Sequence, residues 1–190
     1  MMRVVVITDT PFRSGEAEAI RRLLESGAVW RVHLRKPGCA EADMRRLVEA
    51  LPKELWPRLS LHDCRHLAAE YGCGVHLTAR GGPACGCSGC APLSVSCHSL
   101  AELDTHPEAD YMFLSPVYDS ISKPGYKSAF SLAAVAGSTG RRVFALGGVT
   151  PERLPELRAA GFGGAALLGC VWGAGSPGIE SIIQQICYNS

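Results

Sequence analysis

The feature that most constrains the fold is an eightfold alternation of short apolar runs with longer segments of helical periodicity. Strands are predicted at residues 3–8, 30–34, 59–61, 74–77, 93–97, 111–114, 142–146 and 164–168. Helices are predicted between them, for example at 16–26, 42–51, 65–71 and 151–160. Thr150 precedes the last of these as N-cap, and Gly161 follows it as a left-handed terminator. Strands that alternate with helices indicate a parallel sheet and the α/β class.

Eight such units without a linker-like break predict one compact domain over residues 1–190, a (β/α)8 TIM barrel. An open doubly wound sheet is the alternative, but no G-x-G-x-x-G follows the first strand. The chain has 190 residues, whereas such barrels usually have about 250. We therefore expect short helices and loops.

Charge and hydropathy narrow the classes of partner. The formal net charge of +1 argues against nucleic acid or an anionic membrane as the main partner. No apolar run approaches the roughly 20 residues of a membrane span. The chain enters a strand at once, without a signal-peptide pattern, so we expect a cytoplasmic enzyme that acts on a small molecule. The sequence leaves a homo-oligomer open.

Three of the nine cysteines, Cys85, Cys87 and Cys90, lie in the Gly/Pro-rich stretch 81–92. Three thiols could bind zinc, but a structural zinc site usually has four ligands in paired C-x-x-C spacing, and this cluster is one ligand short. A loop that tolerates cysteine is the favoured interpretation, and the sequence assigns it no function.

Two late strands end at glycine, one at Gly147-Gly148 and the next at Leu168-Gly169. Glycine lets a ligand approach backbone N–H groups closely, and β/α barrels frequently bind phosphate after strands seven and eight. These four residues are therefore the predicted phosphate ligands, and a side chain at Gly148 is expected to weaken binding while leaving the fold intact. Close helix–strand packing is the alternative reason for the glycines.

Polar residues follow the other strands at the end where barrel enzymes carry their catalytic groups. Strand alternation puts His33 and Arg35 on the same face of one strand, and Ser96 and His98 on the same face of another strand. The remaining polar candidates are His62, Asp63, Ser120, Ser122 and Lys123. Each of these residues has a structural alternative to a functional role. A histidine on a strand is often a hydrogen-bonded core residue, an arginine can be the partner in an ion pair, and a serine can cap a turn.

In this order, several segments resemble the thiamin phosphate synthase/TenI family. They are His33-Leu34-Arg35, His62-Asp63, Gly74-Val75-His76-Leu77, Ser96-Cys97-His98-Ser99, Ala109-Asp110-Tyr111, Ser115-Pro116-Val117-Tyr118, Lys123 and Gly147-Gly148-Val149. The resemblance covers nearly the whole chain. It implies a small TIM barrel, a role in thiamin biosynthesis and a pocket for a thiazole phosphate.

The resemblance implies one of two activities. A TenI-type tautomerase, an isomerase, moves a proton on a carboxythiazole phosphate and needs no cofactor. A thiamin phosphate synthase, a transferase, joins that ring to a pyrimidine diphosphate and uses Mg²⁺. The shared pocket would use His33, Arg35, Ser96, Ser120, Ser122 and Lys123 for the substrate, and Gly147, Gly148, Leu168 and Gly169 for its phosphate.

The synthase motifs are incomplete in this chain. The family pattern Gln-x-Arg-x-Lys appears as His33-Leu34-Arg35-Lys36-Pro37, so Pro37 replaces the lysine and Lys36 is its neighbour. The segment 78–81, Thr-Ala-Arg-Gly, lacks the Mg²⁺-binding aspartate of the family, although Arg80 adds positive charge. Asp63 is left as the Mg²⁺ ligand if the protein is a synthase.

His98 lies in a Ser-Cys-His-Ser-Leu segment that resembles Ser-Val-His-Ser-Leu of TenI-type proteins, in which the histidine is the proposed proton carrier. A 1,3-proton shift needs a group that takes and returns a proton near neutral pH, and imidazole does so. We therefore expect a tautomerase with His98 as its catalytic residue. A synthase is the alternative, since it also carries a histidine there, and a non-catalytic ligand-binding regulator is the second alternative.

Overall fold

The computed structural model describes residues 2–78, 92–119, 132–135 and 142–190. The strands are β1 (Arg3–Ile7), β2 (Arg31–Leu34), β3 (Leu59–Leu61), β4 (Gly74–Leu77), β5 (Leu93–Cys97), β6 (Tyr111–Leu114), β7 (Val143–Ala145) and β8 (Gly164–Leu167). Each strand pairs in parallel with the next, and β8 pairs with β1. The predicted TIM barrel is therefore confirmed, and the open sheet is wrong.

Helices follow most of the strands. They are α1 (Glu16–Glu25), α2 (Glu41–Glu49), α3 (Leu67–Tyr71), α4 (Leu100–Leu103), α5 (Leu132–Val135), α6 (Leu154–Ala159), α7 (Gly169–Trp172) and α8 (Ile179–Asn189). Several are only one turn long, as the short chain requires. Among the residues that the structure describes, no helix is both long and apolar enough to cross a membrane.

The helix predicted at 151–160 differs from the expectation in its first turn. It begins as a 3-10 turn, Pro151–Arg153, before α6, and Thr150 stands at its N-cap without a side-chain hydrogen bond. Pro155 has no N–H to donate to the Pro151 carbonyl, so the α-helical bond cannot form there and the turn tightens. Gly161 ends the helix with φ +90°, as predicted.

Strand alternation divides the core into two layers. One side of each strand packs against the helices, for example Val4, Val6, Val32 and Leu34. The other side fills the barrel interior, where Tyr111, Phe113 and Phe144 form one continuous cluster with small and aliphatic residues of β1 and β8. The barrel is therefore a packed core, and its chemistry is confined to its rim and to any polar groups inside it.

The interior wall formed by β2 to β5 is polar. Its buried polar residues are Arg31, His33, Ser60, His76 and Ser94. Arg31 donates to the backbone oxygens of Leu59 (2.6 Å) and Pro57 (2.8 Å), and burial lowers the pKa of its guanidinium. Most buried polar groups are hydrogen-bonded, and this wall has such bonds between Arg31 and Ser60 and between His76 and Ser94, although Arg31 Nε has no partner among the described residues.

Candidate active site

All eight strands run in the same direction, so their carboxyl ends meet at one rim of the barrel. Arg35 follows β2, Asp63 follows β3, His98 follows β5 and Gly147 follows β7. The structure therefore brings predicted ligands from different parts of the chain to one opening. Ser120, Ser122 and Lys123 lie outside the described residues, as do Cys85, Cys87 and Cys90.

His98 lies just beyond β5 and is exposed at the rim. Its Nδ1 is 3.0 Å from the carbonyl oxygen of Ser115. A carbonyl only accepts hydrogen bonds, so Nδ1 carries a proton, and in the neutral ring the lone pair is at Nε2. The imidazole is thus held as the tautomer that takes a proton at Nε2.

The backbone at His98 is fixed by the start of α4. The His98 N–H donates to Glu102 Oε2 (2.7 Å), and the Glu102 N–H donates to Ser99 Oγ (3.2 Å). This reciprocal pairing resembles a capping box, which satisfies N–H groups at a helix start. The carbonyl that orients the ring is also fixed, because the Ser115 N–H donates to Cys97 O (3.0 Å).

Arg35 and Lys36 have separate environments although they are adjacent. Arg35 is partly exposed at the rim and donates to Thr10 Oγ1 (3.2 Å). The Lys36 side chain is fully buried, and its ammonium donates to Glu16 Oε1 (2.6 Å) and to the carbonyl oxygens of Asp9 and Pro11, both at 2.8 Å. Lys36 is therefore part of the fold beneath the first loop, not a replacement for the missing lysine at position 37.

Asp63, the predicted Mg²⁺ ligand, is partly exposed and accepts the Lys36 backbone N–H at 2.8 Å. The carboxylate therefore has a structural role at the end of β2. The predicted substrate ligand Ser96 points into the polar wall, where its hydroxyl lies 2.8 Å from His76 Nε2.

The glycine pair after β7 passes against the loop that follows β6. Gly147 and Gly148 have φ +94° and +64°. A Cβ at Gly148 would lie 2.2 Å from the Asp119 carbonyl oxygen and 2.7 Å from Tyr118 Cβ. Only glycine fits this conformation and this approach. The expectation that a side chain at Gly148 leaves the fold intact is wrong, because the side chain would displace the neighbouring loop.

We expect Gly148→Ala to lower the free energy of unfolding by about 1 to 3 kcal/mol, because it combines left-handed strain with a steric clash. Gly15→Ala is the matched control, since Gly15 has φ +73° and a Cβ there would have nothing within 4 Å. Urea unfolding of both variants measures the difference. An equal loss of stability in the two would show that the clash at Gly148 has no effect.

The end of β8 leads directly into α7. Leu168 is the N-cap residue, and Gly169 is the first helical residue. The first N–H groups of a helix have no partner within it, and they favour anions. Trp172 Nε1 donates to the Ile7 carbonyl oxygen (2.8 Å), which fixes α7 to the end of β1. Gly147, Gly148, Leu168 and Gly169 therefore follow neighbouring strands at one side of the rim, where the phosphate site is predicted.

Three histidines contact one another on the polar wall, an arrangement that we did not predict. Nitrogen atoms of His33, His62 and His76 lie within 4.8 Å of one another. His33 and His76 are buried, and His62 is partly exposed. His33 was expected to bind substrate, but its side chain has no exposed surface in this structure. The signal for the cluster was present, because all three lie at inward-facing positions in or just after adjacent strands.

Comparisons with known proteins give one consistent result. The family model described as thiamine monophosphate synthase matches residues 4–171. A putative thiamine-phosphate synthase from Geobacter sulfurreducens is 32% identical over 160 residues, which cover 77% of this chain and 75% of that protein. A thiamine-phosphate synthase from Parasynechococcus marenigrum is 31% identical over 84% of this chain, and the match spans 49% of that longer protein.

Solved structures of thiamine phosphate pyrophosphorylases are also similar to the chain. The thiamine phosphate pyrophosphorylase from Bacteroides thetaiotaomicron superposes with a TM-score of 0.81 at 28% identity, over 97% of this chain and 94% of that one. A second, from Pyrococcus furiosus, has a TM-score of 0.75 at 21% identity over 98% of this chain and 94% of that one, a likeness of fold. Since the family model covers most of the barrel and the Geobacter relative aligns over three quarters of its own length, this chain belongs to the thiamin phosphate synthase/TenI family.

Proposed function

We propose that the protein binds a carboxythiazole phosphate at the barrel rim and moves a proton on its ring, as a TenI-type tautomerase does. The observation that carries the proposal is the state of His98. Its Nδ1–H donates to the Ser115 carbonyl oxygen, so in the neutral ring Nε2 is the nitrogen that acts as a base, on a residue exposed at the rim. A basic nitrogen held in one tautomer is what a reversible proton transfer requires.

The reaction needs only one such group. Nε2 takes a proton from a ring carbon, the ring electrons shift to the aromatic arrangement, and the imidazolium returns a proton two atoms away. No atom is gained or lost, so the reaction requires no co-substrate. Arg35 at the rim would bind the substrate carboxylate, and the N–H groups near Gly148 and Gly169 would bind its phosphate.

A thiamine-phosphate synthase is the second candidate, and the names of the relatives favour it over the tautomerase. The residues of this chain weaken that interpretation. Pro37 has no charge, the adjacent Lys36 ammonium is committed to buried partners, and Thr78 begins a segment without an aspartate. Asp63 alone would hold Mg²⁺, which usually binds one or two carboxylates together with substrate phosphates.

One assay separates the candidates. The purified protein is incubated with each isomer of the thiazole phosphate, first alone and then with the pyrimidine diphosphate and Mg²⁺. We expect interconversion of the isomers in the absence of added Mg²⁺ and no release of diphosphate. Mg²⁺-dependent release of diphosphate would establish the synthase, and saturable binding without either reaction would establish the ligand-binding regulator.

A further inference from the structure

The three histidines of the polar wall are built into the barrel rather than placed on its surface. The His62 and His76 rings stack with centroids 4.0 Å apart and an interplanar angle of 25°. The His33 ring stands edge-on to both, with centroids 5.1 and 5.4 Å away. The proposed reaction at His98 uses none of them, so this cluster has no role in the chemistry described above.

The surroundings of the cluster disfavour a charged imidazole. Burial, followed by the charge of His76 and Arg31, puts the pKa of His33 well below its ordinary value. Burial is also the main cause at His62, where His76 and His33 add to it, and the pKa falls well below the usual range. At His76 burial lowers the pKa to about 3. A neutral imidazole keeps the lone pair that a metal ion requires.

Hydrogen bonds on the far sides of two rings fix their lone pairs. The Ser94 hydroxyl donates to the Val75 carbonyl oxygen (3.3 Å), so its oxygen accepts from His76 Nδ1 at 2.8 Å. His76 Nε2 is then the nitrogen without a proton, and it accepts a hydrogen bond from the Ser96 hydroxyl at 2.8 Å, which a bound ion would replace. In ligating histidines the second nitrogen characteristically donates to such a partner, which sets the tautomer and the ring orientation.

His33 is arranged in the same way. Its Nε2 lies 2.5 Å from the Tyr111 hydroxyl, and its Nδ1 lies 2.9 Å from His62 Nε2. In the tautomer in which His33 Nε2–H donates to the Tyr111 oxygen, the His33 lone pair at Nδ1 faces the cluster, and this is the tautomer that a metal ion requires. His62 is the adjustable member, because it is partly exposed and its Nε2–H satisfies His33 when no ion is bound.

We propose that His33 Nδ1, His62 Nε2 and His76 Nε2 form a binding site for one divalent first-row transition metal ion, with Zn²⁺ as the best fit. Three neutral imidazoles are a known zinc ligand set, and they leave a fourth position for water or another oxygen ligand. Zinc–nitrogen bonds of about 2.0–2.1 Å in a tetrahedron require ligand nitrogens about 3.4 Å apart. The His33–His62 pair, at 2.9 Å, must therefore open by about half an ångström, and pairs that lie up to 4.8 Å apart must close by as much as about 1.4 Å. His62 also moves its proton to Nδ1.

The ion differs in class from the Mg²⁺ expected at Asp63 in a synthase. Mg²⁺ is a hard cation that prefers oxygen ligands, whereas imidazole suits zinc, cobalt and nickel. The site does not depend on the proposed isomerisation, because it lies on the interior wall and is assigned without reference to substrate. Entry is through the rim, where His62 is partly exposed.

The test is metal binding to the full chain without substrate. The clustered thiols of Cys85, Cys87 and Cys90 would compete for the ion, so the background protein carries Cys85→Ser, Cys87→Ser and Cys90→Ser. After chelator treatment it is titrated with Co²⁺ and then Zn²⁺. We expect one equivalent of Co²⁺ with the visible spectrum of a four-coordinate site, no thiolate charge-transfer band, and displacement by Zn²⁺. No saturable uptake, or a thiolate band, would overturn the proposal.

Variants assign the ligands. In the same background we expect His62→Ala to weaken Co²⁺ binding at least 100-fold, while His66→Ala, a change at an exposed histidine outside the cluster, leaves it unchanged. Imidazole ¹⁵N spectra are recorded on the background protein, which keeps all its histidines, so this measurement does not depend on whether a histidine variant folds. Zn²⁺ should shift the signals of three histidines and leave those of His66 and His106 in place. Equal binding by both variants, or shifts confined to His66 or His106, would refute the assignment.

Discussion

His98→Asn is expected to lower the rate of isomerisation by about 10² to 10⁴-fold, which corresponds to roughly 3 to 5 kcal/mol in the barrier. The amide of asparagine can still donate to the Ser115 carbonyl oxygen, but it has no nitrogen that takes a proton. The KM should stay close to that of the unchanged protein, because the substitution removes an interaction made in the transition state. Steady-state kinetics with the carboxythiazole phosphate measures both constants.

His106→Asn is the matched control, since His106 is also partly solvent-accessible and hydrogen-bonds to an acidic side chain, Glu108. It should leave kcat unchanged. His98 is exposed, so its replacement should also leave thermal unfolding nearly unchanged, and this separates a catalytic role from a structural one. A stable His98→Asn protein that isomerises at the original rate would remove His98 from the mechanism.

Lys36→Met should lower the free energy of unfolding by about 3 to 5 kcal/mol, because it leaves the Glu16 carboxylate buried without its partner. Both side chains are almost completely inaccessible, with exposures of 0% and 2%. The loop after β1 also loses the donor that joins the carbonyl oxygens of Asp9 and Pro11. Urea unfolding monitored by circular dichroism gives the size of the effect.

The double variant Lys36→Met with Glu16→Leu should recover most of the lost stability, because replacing a whole buried ion pair by apolar groups is often nearly neutral. Arg21→Met breaks the exposed pair with Glu18 and should have little effect. If the single and double variants are equally unstable, the cost does not come from an uncompensated charge.

The barrel could be predicted because its signals are local. The runs at 59–61, 74–77, 93–97 and 111–114 coincide with β3 to β6, since short apolar runs between helical segments have few other structures available. The rim could be predicted because every strand of a parallel barrel ends on the same side. The 3-10 turn before α6 was missed although its cause, Pro155, is visible in the sequence.

The site was harder to predict because its contacts join distant parts of the chain. Lys36 looked like a neighbour of the missing lysine, but strand alternation turns it away from Arg35 and towards Glu16. The sequence did not predict that the three histidines contact one another, because their contact depends on the register of β2, β3 and β4. That register is not encoded in any one segment.

The barrel interior is divided into an aromatic side, which contains Phe113 and Phe144, and the polar wall. This division affects how the two sides can change in evolution. On the aromatic side the stability cost of a substitution depends mainly on the change in side-chain volume, so these two residues can be replaced by apolar side chains of similar size. On the polar wall His76 hydrogen-bonds to both Ser94 and Ser96, so a lone change at Ser94 or His76 leaves another group unsatisfied. We expect relatives of this protein to vary residue by residue on the aromatic side, and to keep or replace the polar wall as a set.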